Sequence, residues 1–327
     1  MNFTVVFREF LRFCVYSNVH ISLCAAAMIW ATKYLLLIEI PPEIYLFAFG
    51  STLFLYNAQR LIVAYDFIRI PEEQSDRHVW IRKNRNLLAG LAFAGGAAAL
   101  YAAVILYTNP FFLKRDVLLK VVFWIGLLSV TYAIPFMRWQ GEWIRLRDLP
   151  GMKIFLIAFV WTVVVVGIPF QLASFPETRD IQPSWYKTVG MIFFLEVFLF
   201  CIAITIPFDV RDMKTDKKNI RTIPQLMGEK NALRLGALLL FVVAGIHGFV
   251  YLIYLRDDRN AWIYPDHYAS LGPTLIIVAW SLISAFIVRK ASSEKNEMYF
   301  SLLLDGLLLL LPAGLFAASY IERFFES

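Results

Sequence analysis

Nine apolar runs, each about 20 residues long, limit what this chain can fold into. A run of that length with few charges is long enough to cross the hydrocarbon core of a membrane as a helix. Only 17% of the residues are charged and the mean hydropathy is +0.62, which excludes an ordinary soluble domain. The sequence therefore predicts an all-α, polytopic membrane protein.

The apolar runs are separated by short polar segments that contain Pro and charged residues. None of these segments is long enough to form a separate soluble domain, so residues 1–327 are expected to form a single transmembrane domain. The first run continues to Ile40, too far for the apolar part of a cleaved signal peptide, and predicts an uncleaved span. The predicted spans cover residues 19–39, 44–65, 87–107, 117–136, 153–173, 188–208, 232–254, 271–288 and 299–320.

Lys and Arg residues are distributed unevenly between alternate loops. Nineteen of the 31 fall on one side of the predicted spans and seven on the other, which places the first side in the cytoplasm. The N-terminus is then cytoplasmic, the C-terminus lies outside, and the loops after spans 2, 4, 6 and 8 face the cytosol. We expect an integral protein of the bacterial inner membrane.

The strongest signal for a site is the segment IPFDVRDMKTDKKNIRTIPQLMG, residues 206–228, at the cytoplasmic end of the sixth span. Asp209, Asp212 and Asp216 are spaced three and four residues apart, so a continuing helix presents all three on one face. Carboxylate oxygens are the ligands that Mg²⁺ prefers, and they commonly hold it against a phosphate. The alternative is a solvated loop, because basic residues are interleaved with the acids.

This segment resembles the second aspartate-rich motif of the UbiA superfamily of intramembrane prenyltransferases. In that motif D-x-x-D-x-x-x-D is followed by a basic residue and a Thr-Pro segment. The resemblance implies nine helices, a cytoplasm-facing site for a prenyl diphosphate, and Mg²⁺ as cofactor, with Lys217 and Arg221 as diphosphate contacts. The matching residues are Asp209, Asp212, Asp216, Lys217, Arg221, Thr222, Pro224 and Gly228.

The loop after the fourth span, YAIPFMRWQGEWIRLRDLPGMK, resembles a third element of the same family through its Tyr-x-x-Pro and basic pattern. The resemblance implies diphosphate or substrate contacts from Tyr132, Arg138, Arg147 and Lys153. The excess of basic residues in cytoplasmic loops would place such residues here whatever the function.

The end of the second span, LYNAQRLIVAYDF, departs from the family. There the family has N-D-x-x-D-x-x-x-D, whose acids hold a second magnesium ion. Asn57 matches the leading Asn, but Ala58, Leu61 and Tyr65 replace the acids. Asp66 lies one residue beyond the last of these positions, about 100° around a helix. A site with one metal ion is therefore expected.

Arg60 follows Asn57 by three residues, so the two share a helical face. Its guanidinium would contact the diphosphate with Asn57 and supply the charge of the missing metal ion. The alternative is that Arg60 pairs with Asp305 and the site is inactive. An ionisable group within a span needs a partner, and Lys33 and Glu196 lie at similar depths, which predicts a second pair.

His247 stands alone on an apolar span and is interpreted as a hydrogen-bonded packing residue. Cys14, Cys24 and Cys201 follow no metal-binding or disulfide pattern and are expected to be free thiols.

The function expected from the resemblance is transfer of an isoprenoid from a prenyl diphosphate to a lipophilic or aromatic acceptor within the lipid bilayer, with no nucleic-acid partner. Three alternatives remain: a non-catalytic protein that binds isoprenoids or lipids, a terpene cyclase of the UbiA type, and a transporter. The transporter is disfavoured, because the sequence shows no corresponding pair of spans broken by Gly or Pro.

Overall fold

Helices make up almost all of the computed structural model, which describes residues 3–66, 76–109, 115–139, 142–149, 151–172, 183–213, 222–256 and 268–326. The chain divides into two compact units, each assembled from separate parts of the sequence. Unit 1 comprises Met1–Ala26, Pro41–Arg115 and Asn296–Gly306. Unit 2 comprises Ala27–Ile40, Asp116–Lys295 and Leu307–Ser327.

Unit 1 is built around two long helices that pack against each other, α3 (Pro42–Asp66) and α5 (Arg85–Thr108). The N-terminal helix α1 (Phe3–Tyr16) precedes α2 (Val19–Leu36), whose first half belongs to this unit. The short helix α4 (Asp76–Lys83) leads into α5.

Unit 2 contains the remaining helices. Helix α6 (Arg115–Ala133) is followed by an antiparallel hairpin, β1 (Met137–Trp139) and β2 (Glu142–Ile144), in which Arg138 is paired with Trp143. Helix α9 packs against α7 and α11, and α11 packs against α12. These later helices are α7 (Met152–Thr162), α8 (Ile168–Leu172), α9 (Pro183–Asp212), α10 (Ile223–Met227), α11 (Glu229–Arg256), α12 (Leu271–Arg289) and α13 (Asp305–Glu326).

The prediction of an all-α membrane protein is confirmed, with the three-residue strands of the hairpin as a small addition. Within the described ranges, seven helices are long and apolar enough to cross a membrane. The apolar helix Leu118–Ala133 is shorter, and α3 has 25 residues but includes polar ones such as Asn57 and Arg60. The count of nine spans and the single domain stay predictions.

Two π-helical turns interrupt the helices, Val163–Gly167 between α7 and α8 and Tyr299–Leu304 before α13. A π turn changes the ladder of backbone hydrogen bonds, so its polar groups need other partners. The Thr32 hydroxyl donates a 2.7 Å hydrogen bond to the carbonyl of Val165 in the first turn. The second turn contributes Ser301 to a buried polar cluster described below.

Helices α3 and α5 approach so closely that neither tolerates a side chain at the contact. A Cβ atom on Gly50 would lie 2.6 Å from the Gly95 carbonyl oxygen, and a Cβ atom on Gly95 would lie 2.8 Å from that of Gly50. Small residues allow backbones within a membrane to pack at this separation.

Substitution of Gly50 by Ala is expected to destabilise unit 1 by about 1–3 kcal/mol, because the added methyl group meets backbone atoms that cannot turn away. The measurement is the melting temperature in detergent. The same substitution at exposed Gly90 of α5, where an added Cβ meets nothing within 4 Å, is the control. Equal melting temperatures for Gly50→Ala and Gly90→Ala would contradict the close contact between α3 and α5.

Candidate functional site

Two aspartates and a lysine meet at the C-terminal end of α9. Asp209 is buried and Asp212 is the last residue of the helix, while Lys153 lies in the first turn of α7. The Lys153 Nζ atom is 2.9 Å from Asp209 Oδ1 and 3.3 Å from Asp212 Oδ2. Arg211 Nε donates a 2.8 Å hydrogen bond to the other oxygen of Asp212. Two carboxylates thus face two cationic side chains, so the net charge of this cluster is close to zero.

The Oδ1 atom of Asp209 belongs to a buried carboxylate and lies 2.9 Å from the ammonium of Lys153. A metal ion can take the position of that ammonium beside the carboxylate, because both carry positive charge. Mg²⁺ commonly uses one or two protein carboxylates and takes its other ligands from phosphate and water. Asp209 and Asp212 therefore offer the carboxylate oxygens that one magnesium ion takes from a protein.

Tyr132 and Arg147 lie beside the same cluster. The Tyr132 phenol is within electrostatic range of Lys153, Arg147 and Asp209. The guanidinium carbon of Arg147 is 5.7 Å from the centre of the Tyr132 ring, a cation–π distance. The structure thus brings together five of the residues predicted from the sequence: Tyr132, Arg147, Lys153, Asp209 and Asp212.

Arg138 is held by the hairpin instead. Its guanidinium carbon lies 5.6 Å from the ring centre of Trp143, the residue paired with it across the two strands. Both side chains are exposed. The described contact of Arg138 is therefore local, and its role toward a diphosphate stays a prediction.

Arg145 and Asp148 order the segment between the hairpin and α7. Arg145 donates to both carboxylate oxygens of Asp148 from its guanidinium, at 2.9 and 3.1 Å, and its backbone N–H donates a third hydrogen bond at 3.0 Å. Burial raises the pKa of Asp148, but the hydrogen bonds from Arg145 outweigh it, so the pKa is lowered overall. This pair was not predicted, although the sequence places a basic and an acidic residue three positions apart here.

Asn57 is fully buried in unit 1 and bonds to the turn between α1 and α2. Its amide group donates to the carbonyls of Ser17 and Leu53, at 3.0 and 2.9 Å. Its carbonyl oxygen accepts a 2.9 Å hydrogen bond from Asn18, whose φ of 61° makes this turn tight. These bonds explain the burial of Asn57 without a ligand. Arg60 is partly buried on the same helix.

Arg77 of α4 extends the same polar cluster. Its guanidinium donates to Glu297 at 2.6 Å, to Ser301 at 2.9 Å and to Asn18 at 3.3 Å. The side chains of Arg77 and Glu297 are only 7% and 16% exposed, so this ion pair is largely shielded from water. A chain of hydrogen bonds therefore connects Asn57, Asn18, Arg77 and Glu297.

No protein-family model and no curated protein sequence matches this chain. Solved structures do match it across nearly its whole length. A UbiA homolog from Archaeoglobus fulgidus bound to DMAPP and Mg²⁺ is 14% identical, covers 93% of this chain and 98% of its own, and has a TM-score of 0.57. The chain has the UbiA fold. A structure of a UbiA homolog from the same organism bound to GPP and Mg²⁺ is 16% identical, with the same coverage and a TM-score of 0.56. A third structure, bound to Cd²⁺, is also 16% identical, covers 94% of this chain and 98% of its own, and has a TM-score of 0.52.

The UbiA fold confirms the fold that the motif resemblance implied. The Thr-Pro segment of the motif forms the short helix α10, where the backbone N–H of Thr222 donates to Gln225 and Gly228 adopts a φ of 80°. Three predicted site residues, Asp216, Lys217 and Arg221, lie outside the described residues, as does the side chain of Tyr65.

The predicted pair of Lys33 and Glu196 is wrong. Lys33 Nζ lies 2.8 Å from Glu39, and both side chains are exposed at the end of α2. Glu196 is fully buried and bonds to His247 and Tyr268. Depth along the helices was a poor guide, because the rotation of each helix decides which side chains meet.

Two smaller predictions are confirmed. His247 is a fully buried side chain with a hydrogen-bond partner, as the sequence indicated. All three cysteines are free thiols.

Proposed function

We propose that this protein is an intramembrane prenyltransferase that transfers an isoprenoid from a prenyl diphosphate to a lipophilic or aromatic acceptor. The observation that carries the proposal is the cluster of Asp209, Asp212 and Lys153 at the end of α9. It supports a diphosphate site because two carboxylates and nearby cations are the groups that bind a metal–diphosphate complex. The similar structures with the UbiA fold contain DMAPP or GPP together with Mg²⁺.

In this proposal Asp209 and Asp212, together with Asp216 outside the described residues, would hold one Mg²⁺ ion, and the ion would supply positive charge to the diphosphate. Lys153 and Arg211 balance the charge of Asp209 and Asp212 before the ligand arrives. With a metal ion at the carboxylates, the ammonium group of Lys153 would donate hydrogen bonds to phosphate oxygens instead. Its long flexible stem allows this exchange of partners with little movement of the backbone.

Other cationic side chains lie around Asp209, Asp212 and Lys153. Arg211 contacts Asp212 and Arg147 contacts the Tyr132 ring, and in this proposal both guanidinium groups bind the diphosphate. Breaking the allylic C–O bond leaves negative charge on the diphosphate, and fixed cations stabilise that charge as it develops. That Asn57 and Arg60 of α3 contact a diphosphate, with Arg60 replacing the charge of a second metal ion, stays a prediction from the sequence alone, and the described hydrogen bonds of Asn57 go to other residues.

The test is turnover by the purified full-length protein in liposomes. Radiolabelled DMAPP, GPP and longer prenyl diphosphates are supplied with a lipid extract as the source of acceptors. We expect release of pyrophosphate that requires Mg²⁺ and the transfer of label to a new lipophilic product. A cyclic hydrocarbon that carries the label without any acceptor would instead identify a terpene cyclase, which begins with the same ionisation.

A second candidate is a non-catalytic protein that binds a prenyl diphosphate. It is favoured by Ala58, Leu61 and Tyr65 at the positions of the family's acids. The charges of Asp209 and Asp212 are also already balanced by Lys153 and Arg211. Binding of labelled GPP without release of pyrophosphate at any chain length, and with no dependence on Mg²⁺, would establish this candidate. Absence of both binding and turnover would reject both functions.

A further inference from the structure

The N-terminal half of α1 is exposed on all sides. Residues 4–10 all have exposed side chains, whereas Val15 and Tyr16 at the other end of the helix are buried. The Tyr16 ring meets Trp80 of α4 edge to face, with ring centres 5.7 Å apart, so α1 packs against unit 1 at its C-terminal end. A helix of this length is marginal in water when most of it is unpacked. The exposed half therefore needs another surface to stabilise it.

The exposed apolar side chains of α1 lie mainly on one side of the helix. Four of the five described ones fall within an arc of about 120°, and each of the four is more than a third exposed. Single apolar residues scattered over a surface are ordinary, but a contiguous strip marks a surface that contacts a partner or a membrane. This apolar strip consists of Val6, Phe7, Phe10 and Phe13.

The charged residues of α1 occupy the opposite side. Arg8, Glu9 and Arg12 fall within an arc of about 100°, whose middle lies about 150° from the middle of the apolar strip. Arg12 Nη1 lies 2.9 Å from Glu9 Oε1, whereas the exposed Arg8 has no ion-pair partner among the described residues. A helix with one aromatic side and one basic side matches the boundary of a lipid bilayer, where acyl chains lie below negatively charged phosphate groups.

The position of α1 in the chain places it beside the bilayer. Helix α2 begins at Val19 and is long and apolar enough to cross a membrane, and only Ser17 and Asn18 separate it from α1. Two residues span at most about 7 Å, so α1 ends close to the first turn of α2. The turn between them is held in place, because the Ser17 carbonyl accepts a 3.0 Å hydrogen bond from Asn57. A bilayer that holds α2 therefore has its surface near α1.

We propose that α1 lies in the plane of the membrane surface and binds lipid there. The apolar strip inserts between acyl chains, and Arg8 and Arg12 face the phosphate groups. The partner is the headgroup and acyl boundary of the bilayer that holds α2, because α1 carries cations opposite the strip and two residues separate it from α2. A second copy of the chain and another protein are the competing partners that the test must separate from lipid. This lipid contact is independent of the proposed transferase activity.

Spin labels on the full-length protein in nanodiscs of phosphatidylcholine and phosphatidylglycerol test this placement. Cys14, Cys24 and Cys201 are first replaced by Ala, and a label is then attached through Phe10→Cys or Arg8→Cys, positions about 160° apart around α1. We expect dissolved oxygen, which concentrates among acyl chains, to relax the label at position 10, and a water-soluble nickel complex to relax the label at position 8. Relaxation by nickel at both positions would mean that α1 lies in water. Shielding of position 10 from both reagents would mean that protein covers it, and either result overturns the proposal.

Hydrogen exchange of the α1 backbone amides provides a second measurement, which needs no cysteine replacement. In the same nanodiscs we expect Phe10→Ser to speed exchange in the exposed half of α1 by about tenfold, because it removes a side chain buried in lipid. The matched control is Val5→Ser on the charged side, which is expected to change nothing. The two side chains are 58% and 55% exposed, and Ser has nearly the helix propensity of both Phe and Val. Equal exchange in the two variants, or rapid exchange of this half in the unmodified protein, overturns the proposal.

Discussion

Replacement of Asp209 by Asn is expected to lower the rate of pyrophosphate release by about a hundred- to a thousand-fold, the usual effect of removing one group that stabilises developing charge. Asn has nearly the same shape but no charge, so the site keeps its packing and loses a proposed metal ligand. Lys153 would keep only Asp212 of the two carboxylates it now contacts. The measurement is pyrophosphate release in liposomes at saturating Mg²⁺.

The matched control is Asp116→Asn, the same substitution at an exposed residue of α6, which is expected to leave the rate unchanged. A second readout separates loss of the ligand from loss of folding. Mg²⁺ and GPP together should raise the melting temperature of the unmodified protein and of Asp116→Asn, but not that of Asp209→Asn. Full turnover by Asp209→Asn would remove Asp209 from the proposed metal site.

Replacement of Arg77 by Met is expected to destabilise the protein by about 3–5 kcal/mol, the usual result of removing one partner of a buried ion pair. The carboxylate of Glu297 would lose its 2.6 Å contact with the guanidinium while remaining only 16% exposed. Asn18 and Ser301 would each lose a donor in the same change. The free energy of unfolding in detergent is the quantity to measure.

Two further variants show whether the effect belongs to the ion pair. Arg77→Met combined with Glu297→Gln should be more stable than Arg77→Met alone, since no uncompensated charge remains buried. Arg12→Met removes the more exposed pair of Arg12 with Glu9 and is expected to cost about 0–1 kcal/mol. If Arg77→Met and Arg12→Met have the same free energy of unfolding, the buried ion pair contributes no more to stability than the exposed one.

Much of the fold followed from local patterns in the chain. The length of the apolar runs indicated helices within a membrane, because a backbone in hydrocarbon must satisfy its own hydrogen bonds. The motif at the end of α9 located two of the acids that the structure shows beside a lysine. The Tyr-x-x-Pro element covers Tyr132, near the end of α6, and the segment that carries Arg147; these two side chains contact each other, and their role toward a diphosphate stays a prediction.

The partners of buried polar groups were less predictable. Asn57 matched a motif residue, yet its described hydrogen bonds go to Ser17, Leu53 and Asn18. Arg77 gave no signal in the sequence beyond the excess of basic residues in its loop. Its partners Glu297 and Ser301 lie just before and within the second π turn.

The sequence by itself determined that long apolar helices form and that two acids share the end of one of them, because both features depend on spacing within a single helix. Only the tertiary structure decided that Lys153 faces those acids and that Glu196 faces His247 and Tyr268 rather than Lys33. The physical reason is that contacts between helices depend on how each helix is rotated and packed, and residues many positions apart in the chain set that rotation together.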